Sequence, residues 1–471
     1  MARPRAEWLG ALFAGTLALA LPGQAAPVDF VAPDGTRFLL LADSAALQVH
    51  WAIASAIDPG NDPPGFEGLA FATLQASLHG SWRTGSRDAE KERAALTRLD
   101  DAWQRMIRDP RDQDAANEVR TVDAEARDLA DLNAFSRVLA SAPAWRPEVQ
   151  ARGPVGVFVL TTMPAAIGDV GRLLVERRDE QPLRELPRTW LQTFRERVRQ
   201  HLTSNNRALH AEVLALSLPD HPASRAIEPP SAGSPRRDQA LAVWAQTQRP
   251  DRTVHVLLGN FDPTAVQAEL ATIFARSTLP MALPPPATAP RPLVGPRRST
   301  VAGINPPTLA MAWLLPPVED RTALAAGLRW LAAGPDSRLG RELQRAGRGA
   351  TIRIEAPWPS AVYGWSLLLL EASDPAGTQG LAELLLAACR QAASSQPDDA
   401  ALQAANVALQ RDFAEATHDG RQLAVEIAVA ARCWPHEPPR LQWPERIDPA
   451  AVQQLLERTF RGHPVIVEGK P

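Results

Sequence analysis

The sequence predicts an α+β protein of two homologous domains, each an antiparallel-rich sheet with helices packed on one face. Three observations lead there. Short apolar runs of strand character alternate with long stretches of helical apolar periodicity, a proline-rich stretch interrupts the chain past its middle, and the elements after that stretch repeat the order of those before it. The 471 residues are 45% hydrophobic and 22% charged, ordinary globular usage that excludes a disordered or fibrous chain. At roughly 150 residues per domain a single small module is excluded too. The 50 basic and 53 acidic residues leave a net charge of −3, too balanced for the phosphate-neutralising surface that nucleic-acid binding needs.

Residues 1–26 read as a secretory signal. Arg3 and Arg5 precede an apolar stretch from Leu9 to Leu21, and Gln24-Ala25-Ala26 supplies small residues for cleavage. The apolar stretch is shorter than the roughly 20 residues a membrane-spanning helix needs, so stable membrane insertion is not expected. The expected location is outside the cytoplasm, in a bacterial periplasm. Cys389 and Cys433, the two cysteines of the chain, sit in apolar helical contexts. There they form either one bridge in an oxidising compartment or two buried thiols.

The first domain is expected over 27–277. Phe38 to Leu41 and Leu47 to Ile57 read as two strands paired with each other, ended by the glycine and proline cluster 58–65. Phe66, Leu69, Ala70, Phe71, Leu74 and Leu78 recur at helical spacing and make one short, buried helix. Arg87 to Arg108 is a charged helix with an apolar stripe of Leu96, Leu99, Trp103 and Ile107, stopped by Asp109-Pro110. A helix over 120–139, a strand over 155–161, helices over 165–178 and 188–216, and a strand over 254–258 follow. Nine prolines between 278 and 307 make that segment an extended, stiff linker. The second domain, 308–471, then repeats the order: strand 308–315, helices within 321–344, strands 350–356 and 362–370, helices 380–393, 398–417 and 423–433, and a last helix and strand.

Several of these segments carry a resemblance. Asp34-Gly35-Thr36-Arg37 before a strand, Gly68-Leu69-Ala70 opening a helix, Leu257-Leu258-Gly259-Asn260-Phe261-Asp262-Pro263 before a helix, and Pro316-Pro317 followed by Ser337-Arg338-Leu339 together resemble the insulinase or pitrilysin family of zinc peptidases. The resemblance implies that two such chains, or one fused chain of double length, close into a clamshell around a peptide, so that this chain is half of the chamber. It also implies a place for chemistry. In that family an inverted H-x-x-E-H motif follows the Gly-Leu-Ala, with two imidazoles on zinc and a glutamate activating water.

Here those positions hold Phe71, Leu74 and Gln75. Phenylalanine offers zinc no lone pair, an amide is a poor substitute for imidazole, and leucine accepts no proton. The family's third ligand falls on Glu196 or Arg197. A second pair in the family, an arginine and a tyrosine that hold the peptide carbonyl, falls on Gln344 and Thr351, with Arg345 and Arg348 as neighbouring substitutes or solvated surface residues. No zinc and no catalytic residue are therefore expected. The expected partners are an active peptidase chain of the same family and peptides. A free-standing peptide-binding protein and a peptidase with relocated ligands are the rival readings.

Other chemistry is thinly represented. No two of the nine histidines stand three, four or five residues apart. His79 reads as a capping or surface residue, and His201 and His210 as solvent-facing. Glu90 with Glu92, and Asp100 with Asp101, read as a solvated face. Trp145, Trp358 and Trp365 line a peptide groove or anchor a core.

Overall fold

The computed structural model describes residues 26–57, 59–141, 144–203, 206–219, 221, 224, 234–279, 293–315, 320–359, 366–436 and 440–471. The expected signal segment lies almost wholly outside them. In the first half the elements are β1 (Val28–Val31), β2 (Arg37–Ala42), β3 (Val49–Ala56), α1 (Leu69–Ala76), α2 (Ala89–Arg108), α3 (Gln113–Asp128), α4 (Ala134–Ser141), β4 (Ala144–Arg152), β5 (Val155–Thr162), α5 (Ile167–Asp179), α6 (Leu186–Thr203), α7 (Arg207–Ser217), α8 (Arg237–Thr247), β6 (Thr253–Gly259) and α9 (Pro263–Ile273). The second half has β7 (Arg297–Ala302), β8 (Thr308–Leu315), α10 (Arg321–Ala332), α11 (Arg338–Arg345), β9 (Thr351–Pro359), β10 (Ser366–Ser373), α12 (Leu381–Ala393), α13 (Asp399–Ala416), α14 (Gly420–Cys433), α15 (Pro449–Arg461) and β11 (Val465–Lys470).

The two sheets share one plan. The first runs β1-β2-β6-β3-β5-β4 and the second β7-β11-β8-β10-β9, so that apart from β1 each strand has a counterpart at the same place. In both, the last strand lies parallel to the first of the shared set and antiparallel to the next. Helices match as well: α1 packs on α6 and α8 as α10 packs on α13 and α15. Each sheet carries most of its own helices on one face, and its other face receives one helix from the opposite half. Helix α14 lies on β3, β6 and β5, and α7 lies on β11, β8 and β7. The reason is written in the strands. Phe38 and Leu40 enter the core beneath α1, while Leu39 and Leu41 enter the one beneath α14, so β2 is apolar on both faces and both need a cover. Leu209 and Val213 of α7 meet Ala310, Leu367 and Val467 in the same way.

The structure corrects several element assignments. Strands β2 and β3 are not paired with each other, because β6 enters between them; a strand buried on both faces is central, and short connection length does not make its neighbour. The helix expected over 120–139 breaks at 129–133, where Asp131 N donates to Gly85 O at 2.7 Å and the Asp131 carboxylate accepts from Asn133 N to start a new turn. The helix expected over 188–216 is two, since α7 departs to the other sheet. The linker is also shorter than expected: Arg297–Ala302 within it forms β7, which lies along β11, while 280–292 are outside the described residues. Strands β1 and β4, both edges, gave no apolar run to read.

Cys389 on α12 and Cys433 at the end of α14 are free thiols in different cores. Burial pushes both thiols up to about 12. Among the described residues no helix is long and apolar enough to cross a membrane.

Candidate functional site

Helix α1 is where the resemblance placed chemistry, and its start is held by charge. Gly68 adopts a left-handed φ of 92°, and the buried Asp62 carboxylate accepts from Gly68 N at 2.6 Å and Ala70 N at 2.7 Å. An anion at a helix N-terminus satisfies otherwise orphaned N–H groups and opposes the helix dipole. One turn on, Phe71 and Gln75 face a cavity of about 620 Å³. Leu78 and His79 continue that wall; Thr189, Gln192, Thr193 and Glu196 of α6 form the second, and Glu148, Val149 and Ala151 of edge strand β4 the third.

The three positions do not behave alike. Phe71 is partly buried against the core, and Gln75 Oε1 accepts from Thr193 Oγ1 at 3.0 Å, joining α1 to α6 across the cavity. Leu74 is buried in the core and does not line the cavity; a Cβ on Gly156 of β5 would stand 2.5 Å from its Cδ2, so the glycine is what admits it. Of the two candidates on α6, Glu196 lines the cavity, whereas the side chain of Arg197 is outside the described residues. Burial lowers the His79 pKa, holding the imidazole neutral beside the cavity. Among the described residues no group of three or more histidine, cysteine, aspartate or glutamate side chains is arranged to hold a metal ion.

Gln344 and Thr351 also share a cavity, of about 320 Å³, between α11 and the edge strand β9. Leu343, Pro335 and Arg348 contribute to its wall. Arg348 is not a solvated surface residue: it donates to Asp374 Oδ2 at 3.0 Å and to Gly377 O at 3.2 Å, pinning the loop after β10. Arg345 pairs with Glu342 on the surface of its own helix at 2.8 Å.

Other expectations are corrected by long-range partners. Glu92 and Asp100 are buried and bound to Arg184 and Arg237, so only Glu90 and Asp101 of those pairs are exposed. Burial raises the Asp100 pKa, with Arg237 opposing. His210 of α7 does not face solvent alone; its Nε2 lies 2.6 Å from Glu371 Oε1 of β10, tying the crossing helix to the second sheet. No local pattern signals these pairs, because their members stand 92, 137 and 161 residues apart. The side chains of Trp145, Trp358 and His201, and Trp365 entirely, lie outside the described residues.

No protein-family profile matches the chain, and no curated protein sequence matches it. Its fold is found among solved structures. A protease from Helicobacter pylori superposes with a TM-score of 0.66 over 95% of this chain and 99% of its own, at 12% identity. A peptidase M16 inactive domain from Pseudomonas fluorescens superposes with a TM-score of 0.67 over 95% of this chain and 98% of its own, at 14% identity. The fold is therefore the two-domain, insulinase-type fold of M16 peptidases, nearly end to end.

Proposed function

We propose that this chain is a catalytically inactive, exported homologue of insulinase-type zinc peptidases, which pairs with a peptidase-competent chain of the same fold and supplies one wall of the chamber that encloses a peptide. The observation that carries the reading is the face α1 turns to its cavity. A zinc site of this kind needs two imidazoles and a carboxylate that can take a proton. Phe71 supplies a benzyl ring, the Gln75 amide is engaged by Thr193, and Leu74 is packed against Gly156 out of reach of the cavity. Glu196 and the neutral His79 stand on the cavity wall without a second imidazole at 71 or 75. The residues present do not fit zinc.

Pairing follows from what the resemblance implies: two units of this fold close into a clamshell, as two chains or as one fused chain. Export to a bacterial periplasm rests on the charged, apolar and small-residue order of 1–26. The test is to mix the mature chain with an insulinase-type homologue that retains its motif, and to follow size-exclusion elution and peptidase rate. A complex with altered rate supports the reading, and independent elution with an unchanged rate ends it. A second reading, a free-standing peptide binder, is favoured by the position of β4, an edge strand whose backbone can pair with an extended peptide beside the cavity. It requires peptide affinity in the absence of any second chain.

A further inference from the structure

Among the helices that lie between matching strands, the shared plan of the two halves departs at one place. Helices α10 and α11 are joined by 333–337, whereas the corresponding α1 and α4 are separated by 77–133, which hold the paired helices α2 and α3. These two build a small core of their own from Leu96, Leu99, Trp103, Val119 and Val122. One side chain joins this added pair to the candidate site. Arg184, 2% exposed, donates through Nε and Nη2 to both carboxylate oxygens of Glu92 on α2 at 2.5 and 3.0 Å. It also donates through Nη1 to His79 O at 2.7 Å and through Nη2 to Ser81 O at 3.0 Å, the end of the cavity wall that α1 begins. Two residues after Arg184 starts α6, the opposite wall.

The backbone around this guanidinium is shaped to admit it. A Cβ at Gly80 or at Gly85 would lie 3.0 Å from Arg184 Nη1, and both glycines have positive φ, 89° and 116°. Leu183 and Glu185, on either side of Arg184, also take positive φ, 49° and 58°, a conformation that residues other than glycine hold only when their surroundings impose it. A bidentate arginine fixes direction as well as charge.

We infer that Arg184 is the positioning residue of the cavity, which sets the spacing of its α1 and α6 walls and makes that spacing depend on the seating of the α2–α3 pair. The inference concerns the cavity of the proposed function but is read on the free chain, so that absence of partner or peptide binding would count against that function alone. The test is hydrogen exchange on Arg184→Met/Glu92→Met, which removes both charges together, beside Leu99→Ala, which weakens the α2–α3 core without touching the ion pair. The two are compared at urea concentrations that equalise global stability as read from β5. At matched stability, amides of 77–85 and 188–193 should exchange about tenfold faster in the Arg184 variant than in the Leu99 variant. Equal exchange in the two overturns the inference and leaves Arg184 a stabilising contact only. Should the double variant fail to fold, Arg184→Lys, which keeps the charge and loses the fork, carries the same comparison and the same two outcomes.

Discussion

Helices α1 and α10 occupy matching places in the two halves and rest on different foundations. Helix α10 packs over leucines and alanines, and its own Gly327, lacking a side chain, lets Val452 of α15 approach. Behind α1 lies Arg177, wholly buried over the rings of Phe158 and Trp244 and donating to Ser77 Oγ at 2.6 Å, with burial pushing its pKa down to about 9. In the same half Arg178, Arg184 and Arg237 are held in buried ion pairs. The surroundings of α1 thus carry buried guanidiniums, whereas those of α10 are packed from apolar side chains. The difference teaches that the buried charges of the first half place backbone and are not a reacting group: each guanidinium is spent on carboxylates, hydroxyls or carbonyls within the fold.

The comparison can be broken by substitution. Arg178→Met would strand Asp34 and Asp179, which it holds at 2.6 and 2.7 Å, and urea unfolding should show a loss of about 3–5 kcal/mol. Leu324→Ala, in the apolar core beneath α10, should cost about 2–5 kcal/mol by the same measurement, because a cavity remains where the side chain was. Arg177→Met should change stability by less than about 1 kcal/mol, since no carboxylate is left behind and a buried cation is removed. A large loss there would show that its contact with Ser77 outweighs the burial of its charge.

Acid sharpens the same contrast. His255 is fully buried against Phe38 and Phe274, accepts from Trp51 Nε1 at 3.2 Å, and burial drives its pKa well below 6.5, as burial also lowers those of His50 and His79. These histidines are neutral in the fold and take up protons when unfolded. Stability is therefore full above pH 6.5 and falls as the pH drops below it. The described histidines of the second half, His418, His436 and His463, are exposed. Hydrogen exchange at pH 5.5 against pH 7.5, corrected for intrinsic rates, should show β3 and β6 losing protection before β8 and β10; equal loss in both sheets would contradict the assignment.

Much of this was legible in the chain. The strands β2, β3, β5 and β6 announce themselves by apolar runs, and the repeated order of elements gave the two-sheet plan. What escaped was set at a distance. Glu92 and Asp100 have the sequence neighbourhood of solvated residues and are buried because Arg184 and Arg237 arrive from later in the chain. Edge strand β4 contains Pro147 and charged residues suited to an edge, so it shows no apolar signature, although it forms a wall of the cavity. The exchange of α7 and α14 between halves follows from strands apolar on both faces, but which helix covers which face is a tertiary fact.

The most direct measurement is cleavage of a fluorogenic oligopeptide by the purified chain alone, with added zinc and again with a chelator. The expected result is no cleavage under either condition, because the side chains at 71, 74 and 75 give the metal nothing to hold. Cleavage that zinc supports and the chelator abolishes would contradict it.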